Sequence, residues 1–204
     1  PLENDPTNFD AHEMISENVL SDLRSKAKEN GLWSFQMPED KGGVGLNNVG
    51  MAVCYEEMAR SPFGPVTFNC AAPDDGNMMV LEKILPEDQK AEWLQPIING
   101  EVRSSIAMTE PMPGAGSDPS AMLTTAKKTG GNWVIHGKKH YITGADGAQI
   151  FILIAKTSDN PRKGLTAFLF HADQPGWQVE RRIPIMGPEE HGGHCEISFN
   201  GLEI

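Results

Sequence analysis

Near Glu101 the apolar residues of this 204-residue chain change their period, from helical spacing before it to alternation after it. Helices bury a stripe and strands bury a face, so helices followed by strands mean an α+β chain with two separate cores. The pattern predicts an N-terminal all-α domain over 1–100 and an antiparallel β-barrel or sandwich domain over 101–204. Before the switch, Met14, Ile15, Val19, Leu20, Leu23 and Ala27 form one helical stripe, stopped by Asn30-Gly31. A second helix is expected through Met51 to Ala59 and a third over Asn77 to Leu85. A fourth should start after Pro86, where Glu87 and Asp88 suit a helix N-terminus, and run toward Asn99. After the switch, Trp133–Ile135, Ile150–Ile154, Leu165–Phe170, Trp177–Glu180 and Cys195–Phe199 read as strands. Turn formers lie between them: Gly130-Gly131-Asn132, Asp159-Asn160-Pro161, Asp173 to Gly176 and Gly192-Gly193.

Composition narrows the function classes. Apolar residues at 39% and charged residues at 22% describe a folded globular protein, and no apolar stretch is long enough to span a bilayer. A net charge of −11 opposes nonspecific attraction to nucleic acid or anionic lipid, so no nucleic-acid partner is expected. Cys54, Cys70 and Cys195 are too few and too scattered for a disulfide framework, which favours a soluble protein of a reducing compartment. The first ten residues carry neither an initiator Met nor a signal core and read as a chain that begins mid-protein.

Two segments carry chemistry. In Met108-Thr109-Glu110-Pro111-Met112-Pro113-Gly114-Ala115-Gly116-Ser117-Asp118, prolines and glycines forbid a regular element and let main-chain N–H groups approach a ligand. Such a loop, with the Ser117 hydroxyl, can hold a pyrophosphate without a basic side chain. Alone, such a Gly-Ala-Gly loop reads more readily as a surface turn rich in Gly and Pro. Some twenty residues on comes Lys139-His140-Tyr141-Ile142-Thr143-Gly144. The first segment resembles the Thr-Glu-Pro and Gly-Ala-Gly-Ser-Asp signature of the acyl-CoA dehydrogenase family, and the second its aromatic-Ile-Thr strand. Pro38 to Leu46, Tyr55-Glu56-Glu57-Met58-Ala59, Gln89-Lys90 before Trp93-Leu94, and Gly100-Glu101 extend the resemblance over essentially the whole chain. Gly192-Gly193-His194-Cys195-Glu196 is most similar to the subgroup often associated with a kinase-like phosphotransferase domain. Two departures stand out: Met112-Pro113 lengthens the loop by two residues, and Tyr141 stands where the family usually has Trp.

The resemblance implies bound FAD and an acyl-CoA substrate. It implies α-proton removal from the thioester and hydride delivery to the flavin, with electrons passed to an electron-transfer flavoprotein or similar acceptor. Carried over, the Met108 main chain and Thr109 should meet the pyrimidine edge of the flavin, Tyr141 and Ile142 should pack at the ring, and Thr143 should hydrogen-bond near N5. Gly116 and Ser117 should lie by the FAD pyrophosphate or the pantetheine arm, making Ser117 also a substrate contact. Singly, Thr143 is a β-branched strand residue and Tyr141 an ordinary core aromatic. The family's base is a carboxylate from a C-terminal helical bundle, expected to begin where this sequence stops, so no catalytic residue is nominated. Glu110 is expected to be structural, its carboxylate meeting loop N–H groups. Homo-oligomers are implied for the full-length protein, with a bacterial cytoplasm, a mitochondrion or a peroxisome as its compartment. An acyl-CoA oxidase or related flavin oxidase, or a non-catalytic flavin and acyl-CoA binding shell, is the alternative.

His191, His194 and Cys195 carry zinc-ligand chemistry, but their spacing is loose and no fourth ligand is evident, so no metal site is expected. Arg162-Lys163 and Arg181-Arg182 could meet a CoA phosphate; solvated charge is the commoner role for such pairs.

Overall fold

The computed structural model describes residues 2–10, 14–160, 163–186 and 193–204. Among them the chain forms two compact units, Pro1–Val102 and Arg103–Ile204.

Unit one is helical. Helix α1 spans Glu17–Glu29, α2 Asn48–Met58, α3 Gly64–Thr67, α4 Asp74–Ile84, α5 Glu87–Trp93 and α6 Gln95–Ile98. The α1 stripe is shorter than expected: Ile15 pairs with Phe9 in an isolated bridge, and the Met14 amide is held by Asp10 at 2.9 Å. Helix α2 starts at an Asn47 side chain that accepts from Gly50 N at 3.0 Å, a cap that satisfies one orphan amide. The single helix expected after Pro86 is broken in two at Leu94, where Pro96 cannot continue the hydrogen-bond ladder. The short α3, four residues with Pro65 in its first turn, is too brief to show a helical period in the sequence.

Buried polar groups tie the helices together. Asn69, at a left-handed φ of 57°, donates through its amide to Ser34 Oγ at 2.9 Å and to the Ile97 and Ile98 carbonyls at 3.0 and 3.2 Å. Trp33 Nε1 donates to Ile98 O at 2.7 Å, and Lys28 Nζ lies 4.3 Å from the Trp33 ring centre. The Tyr55 hydroxyl lies 2.7 Å from both Cys70 O and Asp75 Oδ2, and burial together with Asp75 raises its pKa. Tyr55→Phe should therefore destabilise by about 1–1.5 kcal/mol, seen as a lower urea midpoint at unchanged slope.

Among the described residues, unit two is one seven-stranded sheet: β1 Ser104–Ala107, β2 Thr125–Thr129, β3 Asn132–Thr143, β4 Ile150–Lys156, β5 Leu165–His171, β6 Trp177–Arg182 and β7 His194–Glu203. Its ladders β2·β3, β3·β7, β4·β5 and β6·β7 are antiparallel, as expected. The sheet is nevertheless mixed. β1 pairs with β4 in parallel, because the chain crosses β2 and β3 before returning beside its first strand. The core holds Ile135, Ile142, Phe151, Leu153, Phe170, Cys195, Ile197, Phe199 and Leu202. Strand β4 is buried on both faces, which is why it reads as an unbroken apolar run.

Candidate functional site

Glu110 organises the loop that follows β1. The residue is buried, and each carboxylate oxygen accepts two hydrogen bonds. Oε2 takes the amides of Ala115 at 3.2 Å and Leu123 at 2.7 Å; Oε1 takes the Thr124 amide at 2.8 Å and Lys139 Nζ at 3.0 Å. Burial alone would raise this carboxyl, but the bonds from Thr124 and Leu123 and the Lys139 charge outweigh it and hold the pKa at about 2. Lys139 is fully buried; burial draws its pKa below the ordinary lysine value and Glu110 opposes that pull. Its ammonium also donates to the Met108 carbonyl at 2.9 Å, so one cation fixes the carboxylate and the chain just before it.

The loop is closed at its base by Glu110 N donating to Gly116 O at 3.1 Å. Met112 stands 85% exposed, so the two-residue extension Met112-Pro113 is accommodated in solvent without disturbing the closure. Gly114 lies against Glu110, where an added Cβ would come within 2.6 Å of Oε2. Gly116 has a left-handed φ of 55° with open space where a Cβ would stand, and Ser117 is exposed.

The second segment is the end of β3, and a bulge sets its geometry. Lys139 pairs with Ile197 and Ile142 with Cys195, so two residues of β3, His140 and Tyr141, stand opposite Glu196 alone. Tyr141 takes a φ of 56°, rare for an aromatic residue. The extra residue shifts the alternation: Ile142 turns into the core beside Cys195, while Tyr141 is 56% exposed and Thr143 faces outward with its partner His194. The His140 and Tyr141 rings meet edge to face at 4.3 Å.

The two segments meet. His140 N donates to Thr109 O at 2.9 Å, placing Thr109 against the bulge. Ser105 Oγ donates to Thr143 O at 2.7 Å, and Thr143 Oγ1 lies 3.0 Å from His194 Nδ1. Met108, Thr109, Tyr141 and Thr143 thus share one neighbourhood around the β3 end. Ile142 is there through its main chain only, its side chain being 1% exposed. Gly116 is tied to that neighbourhood through Glu110, with Ser117 following it on the exposed side of the loop. For a polyanionic cofactor with an aromatic ring system the donors fit: a half-buried threonine at 109, a ledge at Tyr141, a glycine at 116 leaving its amide approachable, and no carboxylate aimed outward from Glu110.

Two residues mattered more than their sequence context suggested. Lys139 was readable as part of a motif but not as a buried ion-pair partner, since Lys138 beside it is exposed and identical in type. His194 carries zinc-ligand chemistry by residue type. It and Cys195 point to opposite faces of β7, His194 toward Thr143 and Cys195 into the core. His191 and Arg162 lie outside the described residues. Arg181 pairs with Glu196 at 3.2 Å and Arg182 with Asp146 at 2.7 Å, so that pair is engaged within the unit.

Residues 6–101 match the family model described as acyl-CoA dehydrogenase, N-terminal domain, and residues 105–202 that of acyl-CoA dehydrogenase, middle domain. FadE2 of Mycobacterium tuberculosis, named a probable acyl-CoA dehydrogenase, is 35% identical over 191 residues, covering 91% of this chain and 46% of FadE2. Acyl-CoA dehydrogenase family member 10 of Mus musculus is 37% identical over 196 residues, covering 91% of this chain and 18% of that protein. Among solved structures, a Mycobacterium abscessus protein assigned as an acyl-CoA dehydrogenase superposes with a TM-score of 0.86 at 38% identity, covering 93% of this chain and 47% of that one. The chain thus spans less than half the length of each of these three.

Proposed function

The chain belongs to the acyl-CoA dehydrogenase family, and from that premise we propose that it forms the N-terminal helical and middle β portions of an FAD-dependent enzyme that desaturates acyl-CoA thioesters between Cα and Cβ. The observation that carries the reading is the convergence of Thr109, Tyr141 and Thr143 around the bulged end of β3. FAD, when bound, supplies the electron sink for the hydrogen leaving Cβ. The protein's task is to place it. The Met108 main chain and Thr109 are assigned to the polar edge of the ring system, Tyr141 and the Ile142 main chain to its flank, and Thr143 to the reacting edge. Gly116 and Ser117 are assigned to the pyrophosphate or the pantetheine arm, where N–H and hydroxyl donors meet negative charge without a basic residue.

The Glu110 and Lys139 pair supports these assignments by holding the main chain at Met108 to Glu110 in one geometry. Glu110 is spent on four donors and is no base; the base is assigned to the part of the full-length protein outside this match, which covers 46% of FadE2. Reduced enzyme would pass electrons to an electron-transfer flavoprotein or similar acceptor, and the full-length protein is expected to be a homo-oligomer. Among the described residues no helix is long and apolar enough to cross a membrane.

Purified full-length protein should show a flavin absorption spectrum that bleaches anaerobically on addition of an acyl-CoA. A colourless protein that takes up neither FAD nor CoA esters would leave only an inert shell. Rapid reoxidation of the bleached protein by oxygen would move it to the oxidases.

A further inference from the structure

The Thr143 hydroxyl is not free to turn. Thr143 and His194 are direct partners across β3 and β7, with Oγ1 and Nδ1 3.0 Å apart. Both residues are fixed through their main chains: Ser105 Oγ donates to Thr143 O at 2.7 Å, and Ile183 N donates to His194 O at 2.7 Å. Just beyond the ladder, where β3 has ended and β7 is about to begin, Gly144 N donates to Gly193 O at 2.7 Å. Three anchors leave the imidazole and the hydroxyl little room to separate.

A hydroxyl has one proton and two lone pairs, so a partner that takes one role leaves the other for a ligand. We propose that His194 is a positioning residue whose Nδ1 accepts a hydrogen bond from the Thr143 hydroxyl and so presents the Thr143 oxygen as an acceptor toward the ligand edge. The inference rests on the flavin reading above. Under it, an oxygen held as acceptor favours the cofactor form that carries a proton at the adjacent ring nitrogen, namely the reduced form. His194 would then act on the redox equilibrium without touching the cofactor, in the way outer partners tune ligands at other sites.

The test is a set of midpoint potentials measured spectroscopically on the FAD-loaded full-length protein and its variants. His194→Leu keeps bulk and removes the acceptor. It should shift the oxidised-to-reduced equilibrium about fivefold to tenfold toward the oxidised form, up to about 30 mV lower for a two-electron couple. His194→Asn restores an acceptor near the Nδ1 position and should recover most of the shift, and it serves as the readable variant should His194→Leu fold poorly. In a Thr143→Val background, His194→Leu should add nothing further. An unchanged potential in His194→Leu, or the same shift with and without the Thr143 hydroxyl, would overturn the proposal while leaving the flavin site intact. Wild-type protein that binds no FAD would remove both.

Discussion

Exchanging Glu110 for Gln should destabilise the β unit by about 3–5 kcal/mol, the range seen when one partner of a buried ion pair is removed. The reason is visible in the four donors. Ala115 and Leu123 amides face one oxygen, the Thr124 amide and the Lys139 ammonium the other. Whichever way the Gln amide turns, its NH2 group meets donors, and Lys139 is left buried without a counter-charge. At about 4–8 °C per kcal/mol for a unit of this size, the thermal midpoint of the full-length protein should fall steeply and FAD should be lost with it. The wild-type protein should also show an acid transition that the variant lacks. The Glu110 carboxyl is held at about 2 against an ordinary 4.5, so its contribution is complete above about pH 4.5 and disappears as pH falls toward 2. That difference corresponds to about 3 kcal/mol at neutral pH. Normal melting and flavin content, with α-proton exchange alone abolished, would instead make Glu110 the base.

Gly137→Ala should be the next most damaging change, by about 3 kcal/mol, the upper part of the range for overpacking. Gly137 has a φ of 151°, and a Cβ there would lie 2.5 Å from Thr124 Oγ1 and 2.7 Å from Thr124 Cα. Thr124 cannot move cheaply, because its amide is one of the four donors on Glu110. Strain entered on β3 would therefore reach the loop. Gly130→Ala is the control: its φ of 61° is also left-handed, yet nothing lies within 4 Å of the added carbon. It should lower stability by only about 1 kcal/mol, from backbone strain alone. Equal losses in the two variants, read by denaturant titration, would show that contact with Thr124 does not matter.

The division into a helical and a β unit was legible because it depends on periodicity, which apolar residues write directly into the chain. Strand β4 was legible for the same reason. Strands β1 and β2 were not: Ser104 to Ala107 is four residues long, and Thr125 to Thr129 carries two exposed lysines, so neither shows a strong alternation. The parallel pairing of β1 with β4 is a matter of topology, which no local pattern encodes. At the site, the structural role of Glu110 followed from its place inside a loop rich in donors. The partner cation did not, since Lys138 and Lys139 differ only in the face they occupy. His194 was invisible as a partner of Thr143 because the pairing depends on register across 51 positions of sequence.

The doubled step at His140 and Tyr141 gives β3 two reading frames. Up to Lys139 the odd-numbered residues look inward; from Ile142 onward the even-numbered ones do. The spacing between Lys139 and Ile142 is therefore as much a part of the site's specification as any side chain in it. Removing one of the two residues would restore an unbroken ladder, with Ile142 still inward and Thr143 still outward, and would erase the left-handed step from which Tyr141 projects.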